Sequence, residues 1–186
     1  MSKIDQDLQK DFNYADNLFK EKKFKESAKK YEDILKNNPN LISVKNNLGL
    51  CYEGLGEFKK AIDLFKNCVE ARQEIIFLNN AARVLFRVKD YENSIIYLEN
   101  SIKMNNNQIN IIELLTAAYN QLNLANKIVT LLENLIKKFP KNRFLNSCYG
   151  KNLLKLNRHA EGLYYLNLGN GVVKLKEGEE IKILSS

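Results

Sequence analysis

Residues 47–68, NLGLCYEGLGEFKKAIDLFKNC, decide how the rest of the chain is read. They form two amphipathic stretches joined at Gly54–Gly56. Leu48, Gly49 and Tyr52 precede the turn, and Phe58, Ala61, Phe65 and Cys68 follow it at helical intervals. Two antiparallel helices approach closely only where the side chains between them are small, here Gly49, Ala61 and Cys68. The larger apolar residues fill the remaining gap. A single hairpin of this kind exposes too much apolar surface to stand alone, so the pattern must recur along the chain.

It does recur. Upstream, residues 8–41 carry Tyr14, Ala15 and Leu18 on a first helix and Phe24, Ser27, Tyr31 and Ile34 on a second. Pro39 closes this copy just past the helix end, where a missing N–H breaks no ladder. Residues 42–74 hold the opening stretch. Residues 75–108 place Ala81 and Ala82 at the close contact, then Leu85, Tyr91, Ser94, Leu98 and Ser101, and end in the polar turn Asn105–Asn107. Residues 109–142 carry Leu115, Thr116, Tyr119, Ala125, Ile128, Leu132 and Leu135 and close at Pro140. Residues 143–170 carry Tyr149, Gly150, Leu153, His159, Gly162 and Leu166. The glycines at 162, 169 and 171 predict that the second helix of this last copy frays from Leu168. The copies start at 8, 42, 75, 109 and 143, spacings of 34, 33, 34 and 34 residues.

Leu48-Gly49 with Tyr52, then Ala61 with Phe65, match the L-G-x2-Y and A-x3-F spacings of the tetratricopeptide repeat, a unit of about 34 residues. The chain resembles that family over residues 8–170. The resemblance implies an all-α fold, a right-handed α-solenoid of antiparallel helix pairs whose first helices line a concave groove. It implies no catalysis. Residues 1–7 read as a polar lead-in. The segment 171–186 changes character: Val173 and Leu175 alternate with lysines, as do Ile181 and Ile183, around Glu177-Gly178-Glu179. Period-two patterning about a glycine turn predicts a short C-terminal β-hairpin or coil cap, the alternative being an extended tail.

Composition narrows the function classes. Two prolines and eight glycines among 186 residues leave few helix breakers, and 45% hydrophobic content argues for a packed chain. The net charge of +7 is spread over the chain, with only residues 141–186 plainly basic, at eight Lys/Arg against four acids. Nucleic acid is therefore not an expected partner. Cys51, Cys68 and Cys148 show neither C-x2-C pairing nor a histidine cluster, so no metal or other cofactor is implied. Cys51 and Cys68 fall where helices touch and act as small hydrophobes. No apolar run reaches membrane-spanning length, and the N-terminus lacks a signal-peptide core, so a cytoplasmic location is expected. The single histidine, His159, occupies the position held by Phe58 and Tyr91 in earlier copies and reads as a packing residue. No phosphate loop or nucleophile motif occurs, and no enzymatic activity is expected.

The groove positions carry the functional expectation. The sixth residue of each copy is Asn13, Asn47, Asn80, Leu114 and Cys148. A carboxamide offers both donor and acceptor and so matches a peptide unit without reading its side chain. Three asparagines in register resemble the ladder by which some members of the family hold an extended peptide. Neighbouring groove positions add Asp16, Glu53, Arg83, Arg87, Glu113, Lys151 and Lys155. Arg83 and Arg87, one helical turn apart, can grip an acidic group. Chaperone-binding members clamp a C-terminal carboxylate with lysine and asparagine, but the first-copy positions here are Phe12 and Asp16. The expected binding residues are thus Asn13, Asn47, Asn80, Arg83, Arg87, Lys151 and Lys155. The expected role is a non-catalytic adaptor for a protein or peptide partner, monomeric or weakly self-associating, with no small-molecule substrate. The alternatives are a recruiting module for a glycosyl- or sulfotransferase acting in trans, and a self-assembling scaffold.

Overall fold

Each first helix carries a small buried residue at the same point of its copy. Ala15, Gly49, Ala82, Thr116 and Gly150 occupy the same position in successive copies, and all are buried. Opposite Ala15 and Ala82 stand Ser27 and Ser94, whose hydroxyls donate to the Ala15 and Ala82 carbonyls at 2.8 and 2.9 Å. Each bond satisfies a buried hydroxyl and staples the two arms together.

The computed structural model describes residues 3–173, with side chains from residue 6 onward. Among them are ten helices and no strand: α1 (Lys3–Lys20), α2 (Phe24–Asn37), α3 (Ile42–Gly54), α4 (Phe58–Ala71), α5 (Ile75–Arg87), α6 (Tyr91–Met104), α7 (Ile109–Gln121), α8 (Ala125–Lys138), α9 (Arg143–Lys155) and α10 (His159–Asn170). The second helices begin at Phe24, Phe58, Tyr91, Ala125 and His159, which keeps the sequence phase through five copies. The expected β-hairpin of the cap lies in residues 174–186, outside the described residues.

One turn recurs between the arms of each hairpin. Lys22, Gly56, Lys89, Asn123 and Asn157 take positive φ of 59, 77, 66, 55 and 62°. The next residue then donates its N–H back across five positions: Lys23 to Leu18, Glu57 to Tyr52, Asp90 to Leu85, Leu124 to Tyr119 and Arg158 to Leu153, at 2.9–3.0 Å. This left-handed cap with its long return bond satisfies carbonyls that the helix end would otherwise orphan. Only one of the five positions uses glycine, so the turn is imposed by the packing of the arms as much as by local preference.

The chain divides into two compact units, Met1–Ala118 and Tyr119–Ser186. In the first, α1 to α6 pack in chain order, α2 on α3 and α4 on α5 between hairpins. Its core includes Tyr31, Ile34, Val44, Leu48 and Cys51, with Ala61, Phe65, Ala81 and Val84 forming a neighbouring cluster. Burying a side chain such as Phe65, fully enclosed here, stabilises by roughly 1.5–3 kcal/mol. Leu8 packs on the first of these clusters, and α1 starts at Lys3, inside the expected polar lead-in. Cys51 and Cys68 are fully buried, as their positions implied, and burial pushes the Cys68 thiol up to about 11.

In the second unit, α9 packs on α8 and, more extensively, on α10. The glycines expected to fray α10 instead allow backbone contact. A Cβ on Gly162 would stand 3.0 Å from the Leu154 nitrogen, and one on Gly169 would stand 2.4 Å from the Ser147 nitrogen. The helix holds to Asn170 and ends on Gly171 at φ 78°, with the Val172 N–H donating to Asn167. His159 opens α10 as expected, but it is exposed rather than packed.

Candidate polar binding face

In the first unit, most of the polar residues that the register placed along the first helices join one hydrogen-bonded run, and Asn13 does not. Tyr31, from α2, sits between α1 and α3: its hydroxyl donates to Asp16 and accepts from the Asn47 amide, both at 3.3 Å. Burial pushes the Tyr31 phenol up to about 12, so it stays protonated as a donor. The Asn46 amide donates to Asn47 at 3.2 Å, and the Asn80 amide donates to Asn46 at 2.8 Å, joining α3 to α5. The Asn80 carbonyl oxygen accepts from Arg83 at 3.1 Å.

The run ends on a carboxylate. Arg83 donates through Nε and Nη2 to the two oxygens of Glu53 at 3.1 and 2.6 Å, a bidentate pair. Arg87 donates to the same carboxylate at 3.0 Å, and its guanidinium lies 4.7 Å from the Phe58 ring centroid. The Glu53 side chain is 10% exposed, whereas Arg83 and Arg87 are 43% and 49% exposed. Burial alone would raise the Glu53 carboxyl. The hydrogen bonds and charge of Arg83, then of Arg87, outweigh it and hold the group below its ordinary 4.5.

The structure therefore gathers Asn47, Asn80, Arg83 and Arg87 into one network. Asn80 is buried and engaged at both ends of its amide. Asn47 is half-buried, and its two bonds are long, so its amide retains donor and acceptor capacity. Asn13 stands apart, exposed on α1, accepting from Gln9 at 2.9 Å. It shares an open stretch of α1 surface with Gln6, Gln9, Lys10, Asp11, Tyr14 and Asn17, amides interleaved with charges. Lys151 and Lys155 belong to the second unit, exposed on α9, where Lys155 donates to Asn120 at 3.2 Å. Cys148, at the ladder position of that copy, has its thiol pushed up by burial, with Asn120, the two lysines and Asn152 opposing the shift.

Two partners in the network escaped the sequence reading. Asn46 carries the α3–α5 link, yet the register singled out its neighbour Asn47. Tyr31 read only as a packing residue, although its hydroxyl joins Asp16 to Asn47. No local signal marks either, because the Tyr31 and Asn47 side chains meet across 16 positions and two helices. Phe12 packs edge-on against Tyr31 at 5.9 Å, so the two first-copy clamp positions, Phe12 and Asp16, both serve this internal structure.

Comparison with known proteins agrees with the geometry. A family model of the tetratricopeptide repeat matches residues 42–75 and 77–108. The Hsp70-Hsp90 organizing protein of Triticum aestivum is 26% identical over 127 residues, which are 67% of this chain and 22% of that relative. The chain thus spans well under half of that relative's length. Among solved structures, a crystal structure of MamA superposes with a TM-score of 0.78 at 18% identity, covering 88% of this chain and 90% of that one. YrrB, described as a TPR protein with an unusual peptide-binding site, superposes with a TM-score of 0.75 at 14% identity, covering 87% and 84%. At those identities the likeness establishes the fold, which is all-α and solenoid-like. Residues 42–75 and 77–108 thus match the tetratricopeptide repeat, in phase with helical hairpins along the described residues.

Proposed function

We propose that the protein is a non-catalytic interaction adaptor that holds a peptide or a partner domain on the polar face of its first helices. The observation that carries this reading is the network itself. Amides and guanidiniums from α3 and α5 are fixed by mutual bonds, while Asn47, Arg83 and Arg87 keep surface open to an incoming chain. Preorganised donors of this kind bind without a large ordering penalty. The amides of Gln6, Gln9, Asn13 and Asn17 on α1 offer similar chemistry beside Lys10 and Asp11.

The wheat relative's name describes an organiser of two chaperones, which makes chaperones the first partner class to test. The carboxylate-clamp positions are unsuited to that mode, since Phe12 and Asp16 are tied into the fold. The test is capture from native lysate on immobilised protein, comparing wild type with an Asn13→Ala, Asn47→Ala, Arg87→Ala variant. Proteins retained by wild type and lost by the variant support the reading. Equal retention, with the helical circular dichroism signal intact, places binding on another surface.

A further inference from the structure

The two arginines of the face look like a site for an acidic partner, but their surroundings point the other way. Glu53 lies beneath them, 10% exposed, and takes three charge-assisted bonds of 2.6–3.1 Å. It occupies the geometry that a partner's carboxylate would need against Arg83, a bidentate approach to Nε and Nη2. A second carboxylate brought to the same guanidinium would meet a fixed like charge at close range, in a partly desolvated setting where repulsion is strong. Arg83 is held further by Asn80, and Arg87 lies against Phe58, so neither guanidinium can swing to a new anion without breaking internal contacts.

We infer that Glu53 is a built-in counter-ion that closes the arginine pair to acidic partners and tunes this face to uncharged, amide-bearing chain. Resting on the adaptor reading above, this names the chemical class that the face accepts. The outward N–H groups of Arg83 and Arg87 and the amides of Asn47 and Asn13 suit peptide carbonyls and carboxamide side chains. Glu53 is thereby a specificity-determining residue. It excludes by repulsion rather than by contact, the usual means of rejecting a wrong partner.

The experiment reads the arginine pair directly and needs no natural partner, so its outcome is separate from that of the capture test. A fluorescein-labelled hexaglutamate peptide is titrated at low and high salt against wild type, Glu53→Gln and Arg87→Gln. Asp63→Asn serves as a charge-matched control, since Asp63 is exposed on α4. Glu53→Gln should bind hexaglutamate about tenfold tighter than wild type at low salt, because an open guanidinium pair gains charged hydrogen bonds. That gain should fade at high salt and be absent in Asp63→Asn. A folded Glu53→Gln with no gain beyond the control would overturn the inference. If Glu53→Gln fails to fold, Arg87→Gln decides, because Arg83 still pairs Glu53 in that variant. A closed pair predicts affinity within threefold of wild type, whereas a larger loss shows that wild-type Arg87 already grips the acidic peptide and contradicts the inference.

Discussion

Gly56 is the one glycine in the five left-handed turns between helices, and a Cβ there would meet nothing within 4 Å. Gly56→Ala therefore isolates the backbone cost of φ 77°, about 1 kcal/mol. Lys89 takes φ 66° with a side chain, so Lys89→Gly relieves that strain and loses part of the gain to unfolded-state entropy. The net should be a stabilisation of about 0.5 kcal/mol. Urea midpoints of the two variants against wild type check both signs. Glu53 gives a second test at this scale. Its folded carboxyl titrates below its ordinary 4.5, so the unfolded chain binds the proton more readily. The stabilisation is complete above that value and is lost as pH falls through the lower folded value. Glu53→Gln should flatten this part of the acid unfolding curve, and an unchanged curve would mean the pair contributes nothing.

At the scale of elements, small residues do different work in different hairpins. A Cβ on Gly49 would meet the Phe65 ring at 2.7 Å, a side chain that can shift. One on Gly150 would meet backbone on two sides, Leu166 nitrogen at 2.5 Å and Gly162 oxygen at 2.7 Å. Gly150→Ala must push α9 and α10 apart and should destabilise by about 3 kcal/mol, the upper range for overpacking. Gly49→Ala should cost about 1 kcal/mol, because the ring can yield. Thermal unfolding followed by circular dichroism ranks the two. The pattern also shows what sequence can convey. Helix starts at Phe58, Tyr91 and His159 were legible because the same spacing recurs and each is a local signal. The integrity of α10 was not. Glycine's weak helix propensity reads as fraying, while the close approach that rewards it depends on Ser147 and Leu154, which only the folded hairpin brings near.

At the scale of the molecule, function rests on which polar groups remain available once the array has formed. Register placed Asn13, Asn47 and Asn80 alike, yet folding separates them. Asn80 is engaged with Asn46 and Arg83, Asn47 keeps capacity, and Asn13 faces solvent. Likewise Arg83 and Arg87 were legible as a pair of cations, but the residue that neutralises them, Glu53, is 30 positions from Arg83 and was visible only as another groove position. The account centres on the face that these residues make. Its most direct test is calorimetric titration of a captured partner against wild type and Asn47→Ala. Tyr31 keeps its bond to Asp16 in that variant, so the fold should be unchanged by circular dichroism. Losing one carboxamide bond to a bound peptide weakens binding by roughly 1 kcal/mol or somewhat more. The account predicts a loss of about five- to tenfold, nearly independent of salt because the lost group is neutral. Unchanged affinity, with the fold intact, would contradict it.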